Sequence, residues 1–108
     1  MAKVRISPKV RDDLHGIKEY ITTELSAPVA AANTVSKITK AIRSLEDFPA
    51  RGAPLSSIVD IPTDYRYLVC GNYLVFYRLE GNDVMVIRAL YGGRDYTKIL
   101  FGDTPKDE

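Results

Sequence analysis

Tyr65 to Tyr96 reads YRYLVC-GN-YLVFYRL-EGND-VMVIRALYGGRDY, three short apolar runs joined by two turn signals. Gly71-Asn72 between two β-rich segments predicts a tight hairpin, with Gly-Asn standing where Asn-Gly is the favoured order. Gly81-Asn82-Asp83 marks a second reversal. The stretch predicts a three-stranded antiparallel meander, with everything before it built to cover one face.

Parity assigns the faces, because side chains alternate across a strand and directly paired residues share a side. With two-residue loops, Arg66 pairs with Tyr77 and Tyr77 with Val86. One face then carries Arg66, Leu68, Cys70, Tyr73, Val75, Tyr77, Leu79, Val84, Val86, Arg88 and Leu90. The other carries Tyr65, Tyr67, Val69, Leu74, Phe76, Arg78, Met85, Ile87, Ala89 and Tyr91. The second set is nearly all apolar or aromatic, so it is the expected core face. The first mixes aliphatics with arginines and tyrosines and is expected to meet a partner. A one-residue slip exchanges the two sets.

Working outward, Lys3 to Ser7 alternates charged and β-branched residues, a short strand with Val4 and Ile6 inward. Ser7-Pro8 starts a helix, Ser at the cap and Pro at the first helical position. Val10, Leu14, Ile17, Ile21 and Leu25 form one apolar stripe to about Leu25. Gly16 weakens that helix by roughly 1 kcal/mol relative to Ala. Ser26-Ala27-Pro28 ends it and caps a second helix with the stripe Val35, Ile38, Ile42 and Leu45, stopped by Phe48-Pro49. The short joint makes the two an antiparallel hairpin. From Pro49 to Asp64 no period holds. Such a length is functional or hides a short turn, with Ile58, Val59 and Ile61 expected to pin it. Arg94 to Phe101 is expected as a short helix or an extended arm. The order is β-α-α-β-β-β plus that C-terminal helix or arm. The fold class is α+β, a helical hairpin packed on one face of a small twisted, mainly antiparallel sheet. Residues 1–101 form the expected domain and 102–108 a polar tail.

Composition narrows the function classes. The chain has 108 residues, a net charge of +1, 45% hydrophobic residues and one cysteine. That is one small domain with one core. A near-neutral charge argues against a strong, sequence-independent grip on nucleic acid. The lone Cys70 permits no intramolecular disulfide and no cysteine metal cluster, which fits a reducing cytoplasm. No apolar run approaches the ~20 residues of a membrane span. MAKVRISPKV has no apolar h-region, so no signal peptide is expected. No Ser/His/Asp arrangement, phosphate loop or metal spacing is present, and neither cofactor nor metal is expected. His15 has no visible carboxylate or thiol partner and is placed on the exposed side of the first helix.

Four pieces of sequence then stand together. They are Ile6-Ser7-Pro8 with Asp13-Leu14 and Ile17 through Tyr20-Ile21; Ile42-Arg43-Ser44-Leu45 running into Phe48-Pro49-Ala50-Arg51-Gly52; Gly71-Asn72-Tyr73-Leu74-Val75-Phe76-Tyr77-Arg78; and Val86 through Gly92-Gly93-Arg94-Asp95. In this order and spacing, from Ile6 to Phe101, the chain resembles the RelE/ParE superfamily of bacterial type II toxins, and more closely its ParE-like branch. The resemblance implies a toxin held inactive by a cognate antitoxin whose flexible C-terminal segment folds around it. A heterotetramer is one assembly it implies, with operator DNA reached only through the antitoxin. It also implies growth inhibition of the kind used in plasmid stabilisation, and a cytoplasmic location.

The resemblance leaves two mechanisms. ParE-like members inhibit DNA gyrase and cut nothing. RelE-like members cut mRNA inside the ribosome without a metal, using basic residues on the sheet face opposite the helices for proton transfer and phosphate stabilisation. Arg66 and Arg94 fall at basic positions of the cutters and are the catalytic candidates if the chain is RelE-like. Leu68 and Tyr73 fall where RelE has lysine and arginine, a departure that favours the ParE-like reading. Target or RNA contact is assigned to Tyr73, Tyr77, Arg88, Tyr91 and Tyr96. Most have a plainer reading beside them. Arg66 and Arg88 also fit as arginines covering sheet margins. Arg94 also fits as a partner of Asp95 or of the chain end, and Tyr73 and Tyr77 as cross-strand packing.

Overall fold

The computed structural model describes residues 1–102. From 103 onward the expected polar tail lies outside the described residues. Strand β1 (Val4–Ile6) leads into helices α1 (Pro8–Thr23) and α2 (Pro28–Ser44). Then come β2 (Ala53–Pro54), a 3₁₀ turn (Leu55–Ser57), β3 (Arg66–Cys70), β4 (Tyr73–Glu80), β5 (Asp83–Tyr91) and α3 (Tyr96–Phe101). The five strands form one sheet in the order β1-β5-β4-β3-β2. β1 runs parallel to β5 and every other pair is antiparallel. The fold is α+β, and the C-terminal segment resolves as a helix. No helix among the described residues is long and apolar enough to cross a membrane.

The helices form where the stripes place them. Pro8 and Pro28 occupy first-turn positions, where a missing N–H costs nothing. Val10 and Ile21 are buried on α1, and Ala31, Ile38 and Ile42 on α2, with Leu45 buried just past its end. Ser7 does not cap α1 with its side chain. Its hydroxyl donates to the Ile87 carbonyl at 2.8 Å, tying the helix start to β5. Leu25 lies beyond the helix and is exposed, as is Ile6 at the end of β1, contrary to the stripe and the alternation.

Both turns have two-residue loops, since Cys70 pairs with Tyr73 and Glu80 with Asp83. Arg66 opposes Tyr77 and Tyr77 opposes Val86, as parity requires. The next pair along, however, is Phe76 with Arg88, so Ile87 is an extra residue in β5. Such a bulge reverses the parity of the residues beyond it. Ala89 and Tyr91 join the Tyr77 face, and Arg88 and Leu90 leave it.

The faces are accordingly not as expected. The helical hairpin covers the first set with Ala89 added: Leu68, Val75, Tyr77, Val84, Val86 and Ala89 pack with Val10, Ile38, Ile42 and Leu45. The second set, joined by Leu90, is covered in part. Phe76 and Leu90 pack with Leu55, Val59 and the inward side of α3. Both faces of the sheet carry buried apolar side chains, although Val69 on the second face is exposed, so apolar content does not separate them. Phe76 meets Tyr96 at 5.2 Å between ring centroids, and Tyr65 stacks on Phe101 at 5.5 Å.

The long segment from Pro49 to Asp64 holds β2 and the 3₁₀ turn. Leu55 pins it, fully buried, with Val59 packed nearby, whereas Ile58 is exposed. Pro54 pairs with Arg66 in the edge ladder, at the sheet margin where a residue without an N–H is tolerated.

Gly16 has open space around it: a Cβ built there meets nothing within 4 Å. Gly16→Ala is therefore expected to stabilise the free protein by ~0.5–1 kcal/mol through helix propensity alone. A urea unfolding midpoint that falls instead would contradict this placement.

Candidate functional site

The site is built where β1 stops. Ile6 is the last residue of β1 paired to β5, opposite Val86, and Ser7 N–H still reaches the Val86 carbonyl at 2.9 Å. The chain then leaves the sheet to begin α1, so β5 beyond Val86 has no outer strand. Asp13, on the second turn of α1, fills the start of that gap. Arg88 grips it with two bonds, Nε to Oδ2 and Nη2 to Oδ1, each 2.7 Å. The same carboxylate accepts the Ala89 N–H at 3.0 Å. The pair is largely shielded, with side-chain exposures of 18% for Arg88 and 8% for Asp13. The carboxylate bond, reinforced by the charges of Asp13 and Asp12, pushes the Arg88 guanidinium above its already high value despite burial. Arg88 is thus a fixed cation devoted to joining α1 and β5.

Past Asp13 the gap opens into a groove of about 730 Å³ between α1 and the end of β5. Gly16, Ile17 and Tyr20 line the helix side, and Tyr73, Ala89 and Tyr91 the sheet side. Tyr73 and Tyr91 oppose each other across β4 and β5, with ring centroids 5.9 Å apart and planes at 72°. That edge-to-face arrangement suits the quadrupoles of the rings. Burial, followed by the neighbouring Tyr20 and Tyr91 phenols, pushes the Tyr73 hydroxyl upward. Tyr73 therefore stays protonated near neutrality, able to donate a hydrogen bond but unsuited to act as a base. Arg94 closes the far end, its N–H on the Tyr91 carbonyl at 3.1 Å. Its guanidinium has no hydrogen-bond or ion-pair partner among the described residues. Asp95, the alternative partner, instead caps α3 by accepting the Lys98 N–H.

The remaining candidates lie elsewhere. Arg66 sits across the sheet in β3 and is held by two carbonyls, Nη2 donating to Ala50 O at 3.1 Å and to Gly52 O at 2.6 Å. Its Nε is buried without a partner. Tyr77 is fully buried under the helices, its Oη accepting the Gly52 N–H at 2.9 Å. Tyr96 packs on Phe76 on the other face of the sheet. The structure thus brings together Tyr73, Tyr91 and Arg94 beside the Asp13 that holds Arg88, and leaves Arg66 and Tyr77 together at Gly52 and Tyr96 on the other face of the sheet. Burial pushes the Cys70 thiol up, only partly offset by Arg51, which leaves it a weak nucleophile. Among the described residues no group of three or more His, Cys, Asp or Glu side chains is placed to hold a metal.

Two residues carry roles that the sequence pattern did not assign: Asp13 at the groove and, across the sheet, Gly52. Asp13 adjoins the apolar stripe, and its partner lies 75 positions away. No local signal joins them.

Comparison with known proteins adds to this geometry. Residues 4–96 match the family described as the ParE toxin of the type II toxin–antitoxin system, parDE. No curated protein matches the sequence. Among solved structures the chain is similar to one from the chromosomal ParDE toxin–antitoxin system of P. aeruginosa. The TM-score is 0.70 at 22% identity, over 84% of this chain and 96% of that one. It is also similar to a chain of the toxin–antitoxin complex RelBE2 from Mycobacterium tuberculosis. There the TM-score is 0.59 at 20% identity, over 83% and 96% of the two chains.

Proposed function

Because this chain belongs to the ParE toxin family of type II toxin–antitoxin systems, we propose that it arrests growth by binding and inhibiting DNA gyrase, without catalysing a reaction of its own. The observation that carries this reading is the engagement of its cations. Cleavage of RNA through its own 2′-hydroxyl needs a proton acceptor and a cation on the phosphate, held together in one open place. Arg66 is held by the Ala50 and Gly52 carbonyls and Arg88 by Asp13, at opposite sides of the sheet. Leu68 and Tyr73 turn toward the helical hairpin and not to the face opposite it, Leu68 buried in the core, and the Tyr73 phenol is pushed away from the proton-accepting form. The sheet face away from the helical hairpin, where the RNA cutters keep their basic residues, is packed against α3 and Leu55. Between α1 and β5 lies a groove with aromatic walls and, at its end, Arg94 with no partner among the described residues, a surface suited to binding a protein.

The reading includes an antitoxin partner that holds the toxin inactive and contacts operator DNA in its place. The net charge of +1 supports this division, since it offers little for phosphate binding. The test uses antitoxin-free protein in two reactions. With purified gyrase and relaxed plasmid, supercoiling is expected to stop at toxin concentrations comparable to the enzyme's. In cell-free translation, primer extension is expected to find intact message. Normal supercoiling together with new codon-phased, ribosome-dependent 5′ ends would replace this reading with an mRNA interferase. Arg94 and Arg66 would then be the first residues to change.

A further inference from the structure

We propose that the outward face of α2 binds the phosphate backbone of duplex DNA, so that the toxin engages gyrase together with the DNA the enzyme holds. The choice of DNA rests on the gyrase reading, whose target works on duplex DNA. The charge pattern that calls for a polyanion stands apart from that reading.

Between Leu25 and Leu45 the chain has no acidic residue, and α2 carries Lys37, Lys40 and Arg43. Lys40 stands two positions from both Ile38 and Ile42, about 200° around the helix from each, so it lies opposite the buried stripe. Lys37 and Arg43 flank it at steps of about 4.5 Å along the axis. All three are exposed, and none has a hydrogen-bond or ion-pair partner among the described residues. Arg43, in the last turn, also suits the helix dipole, but Lys37 and Lys40 lie where the dipole asks for no cation. Just past the helix, Arg51 donates to the Ser44 hydroxyl, which holds a fourth guanidinium at this end without neutralising it. On α1 the signs are mixed instead, Lys9, Arg11 and Lys18 alternating with Asp12, Asp13 and Glu19. The net charge of +1 thus conceals a segregated one.

Composition decides the kind of polyanion. Protein interfaces are depleted of lysine and built around aromatic or aliphatic anchors. This face is the reverse: its exposed residues between Asn33 and Arg43 are Asn33, Ser36, Lys37, Lys40 and Arg43. The exposed Val29 and Phe48 lie beyond its two ends. Lysine and arginine with short polar donors, on a convex helix, are the groups that contact phosphates and fix position without reading sequence. A patch of this size, with Glu46 and Asp47 starting just past it, holds DNA only weakly by itself. Gyrase presents the duplex at a high local concentration, and there a weak contact is enough. None of these residues lines the groove between α1 and β5, so the two surfaces are separate.

Fluorescence anisotropy of a labelled duplex tests this with antitoxin-free toxin. Contact with three phosphates predicts an affinity that falls with salt at a logarithmic slope of about −2.7, a loss of ~40-fold from roughly 50 to 200 mM. The triple variant Lys37→Gln, Lys40→Gln, Arg43→Gln is expected to weaken duplex binding by ~30-fold or more and to flatten the slope, each single change removing about 1. Lys9→Gln on α1 is expected to leave the slope unchanged. The urea unfolding midpoint of each variant checks that its fold is kept. In the supercoiling assay the triple variant is expected to need ~10-fold more protein for half-inhibition, while its affinity for gyrase without DNA changes by less than ~3-fold. Parental duplex affinity in the triple variant, or a flat slope in the parent, overturns the DNA-binding face. Polyglutamate bound as tightly as the duplex overturns it in favour of an acidic protein, and an RNA duplex bound ~10-fold tighter overturns it in favour of RNA. Unchanged inhibition by the triple variant overturns the joint engagement of gyrase and DNA. A salt-dependent duplex contact in a toxin that leaves supercoiling untouched overturns the gyrase reading and leaves the DNA-binding face standing.

Discussion

Asp13→Ala is expected to lower stability by about 3 kcal/mol, an effect that comes from polar groups rather than from lost apolar packing. The carboxylate receives two bonds from Arg88 and one from the Ala89 backbone, and both side chains are mostly shielded. Deletion leaves a guanidinium and a backbone donor together in a confined space with nothing to accept them. The penalty is that of the uncompensated groups more than of the lost attraction. For a domain of this size the melting temperature is expected to fall by roughly 12–20 °C. A paired replacement separates the two causes. Asp13→Leu with Arg88→Met removes both charges and is expected to recover all but ~1 kcal/mol, the remainder belonging to the Ala89 N–H. Urea unfolding measures all three proteins. A single variant within ~0.5 kcal/mol of the parent would mean that water reaches the pair freely and that α1 is not fastened to β5 there.

Gly52→Ala is expected to cost about 2–3 kcal/mol, opposite in sign to Gly16→Ala. A Cβ at Gly52 falls 2.6 Å from the Tyr67 carbonyl oxygen and 2.8 Å from both Cε1 and Oη of Tyr77. Neither neighbour is free to yield. Tyr67 pairs with both Phe76 and Ala53, and the Tyr77 ring is fully buried in the core. The loop must move instead. Movement breaks the Gly52 N–H bond to Tyr77 and loosens the Arg66 grip on the Gly52 carbonyl. Tyr77→Phe isolates the hydroxyl's share and is expected to cost ~1 kcal/mol. Equal unfolding midpoints for Gly52→Ala and the parent would show that the 49–52 loop slides without resistance. The same contacts explain why Arg66 is half-buried: it joins β3 to the loop after α2.

Both substitutions fall at residues whose roles were illegible in one dimension. Asp13 and Arg88 are ordinary charged residues in their local patterns, and Gly52 is one glycine in a loop of prolines and glycines. Their partners lie 75 and 25 positions away. Turn lengths, by contrast, follow from backbone chemistry at Gly71 and Gly81, both at positive φ, where glycine carries no side-chain penalty. The helix stripes follow from a period that burial must obey, and they hold from Val10 to Ile21 and from Ile38 to Leu45.

The sequence by itself determined both long helices, β1 and the three-stranded meander, their order, both hairpin registers at the turns, and the resemblance to the toxin superfamily through four pieces of local pattern, but not β2, the 3₁₀ turn or the helical state of the C-terminal segment. Only the tertiary structure decided which face of the sheet the helices cover, because α3 and Leu55 bury the second face and make both apolar. Only it revealed the bulge at Ile87, a β-branched residue with no local mark of irregularity, which turns Ala89 and Tyr91 toward α1. And only it separated the arginines into Arg66 and Arg88, which hold the fold together, and Arg94, which faces the groove. A charge is free to act on a partner when no group of its own chain has claimed it, and that depends on distances the linear order does not contain.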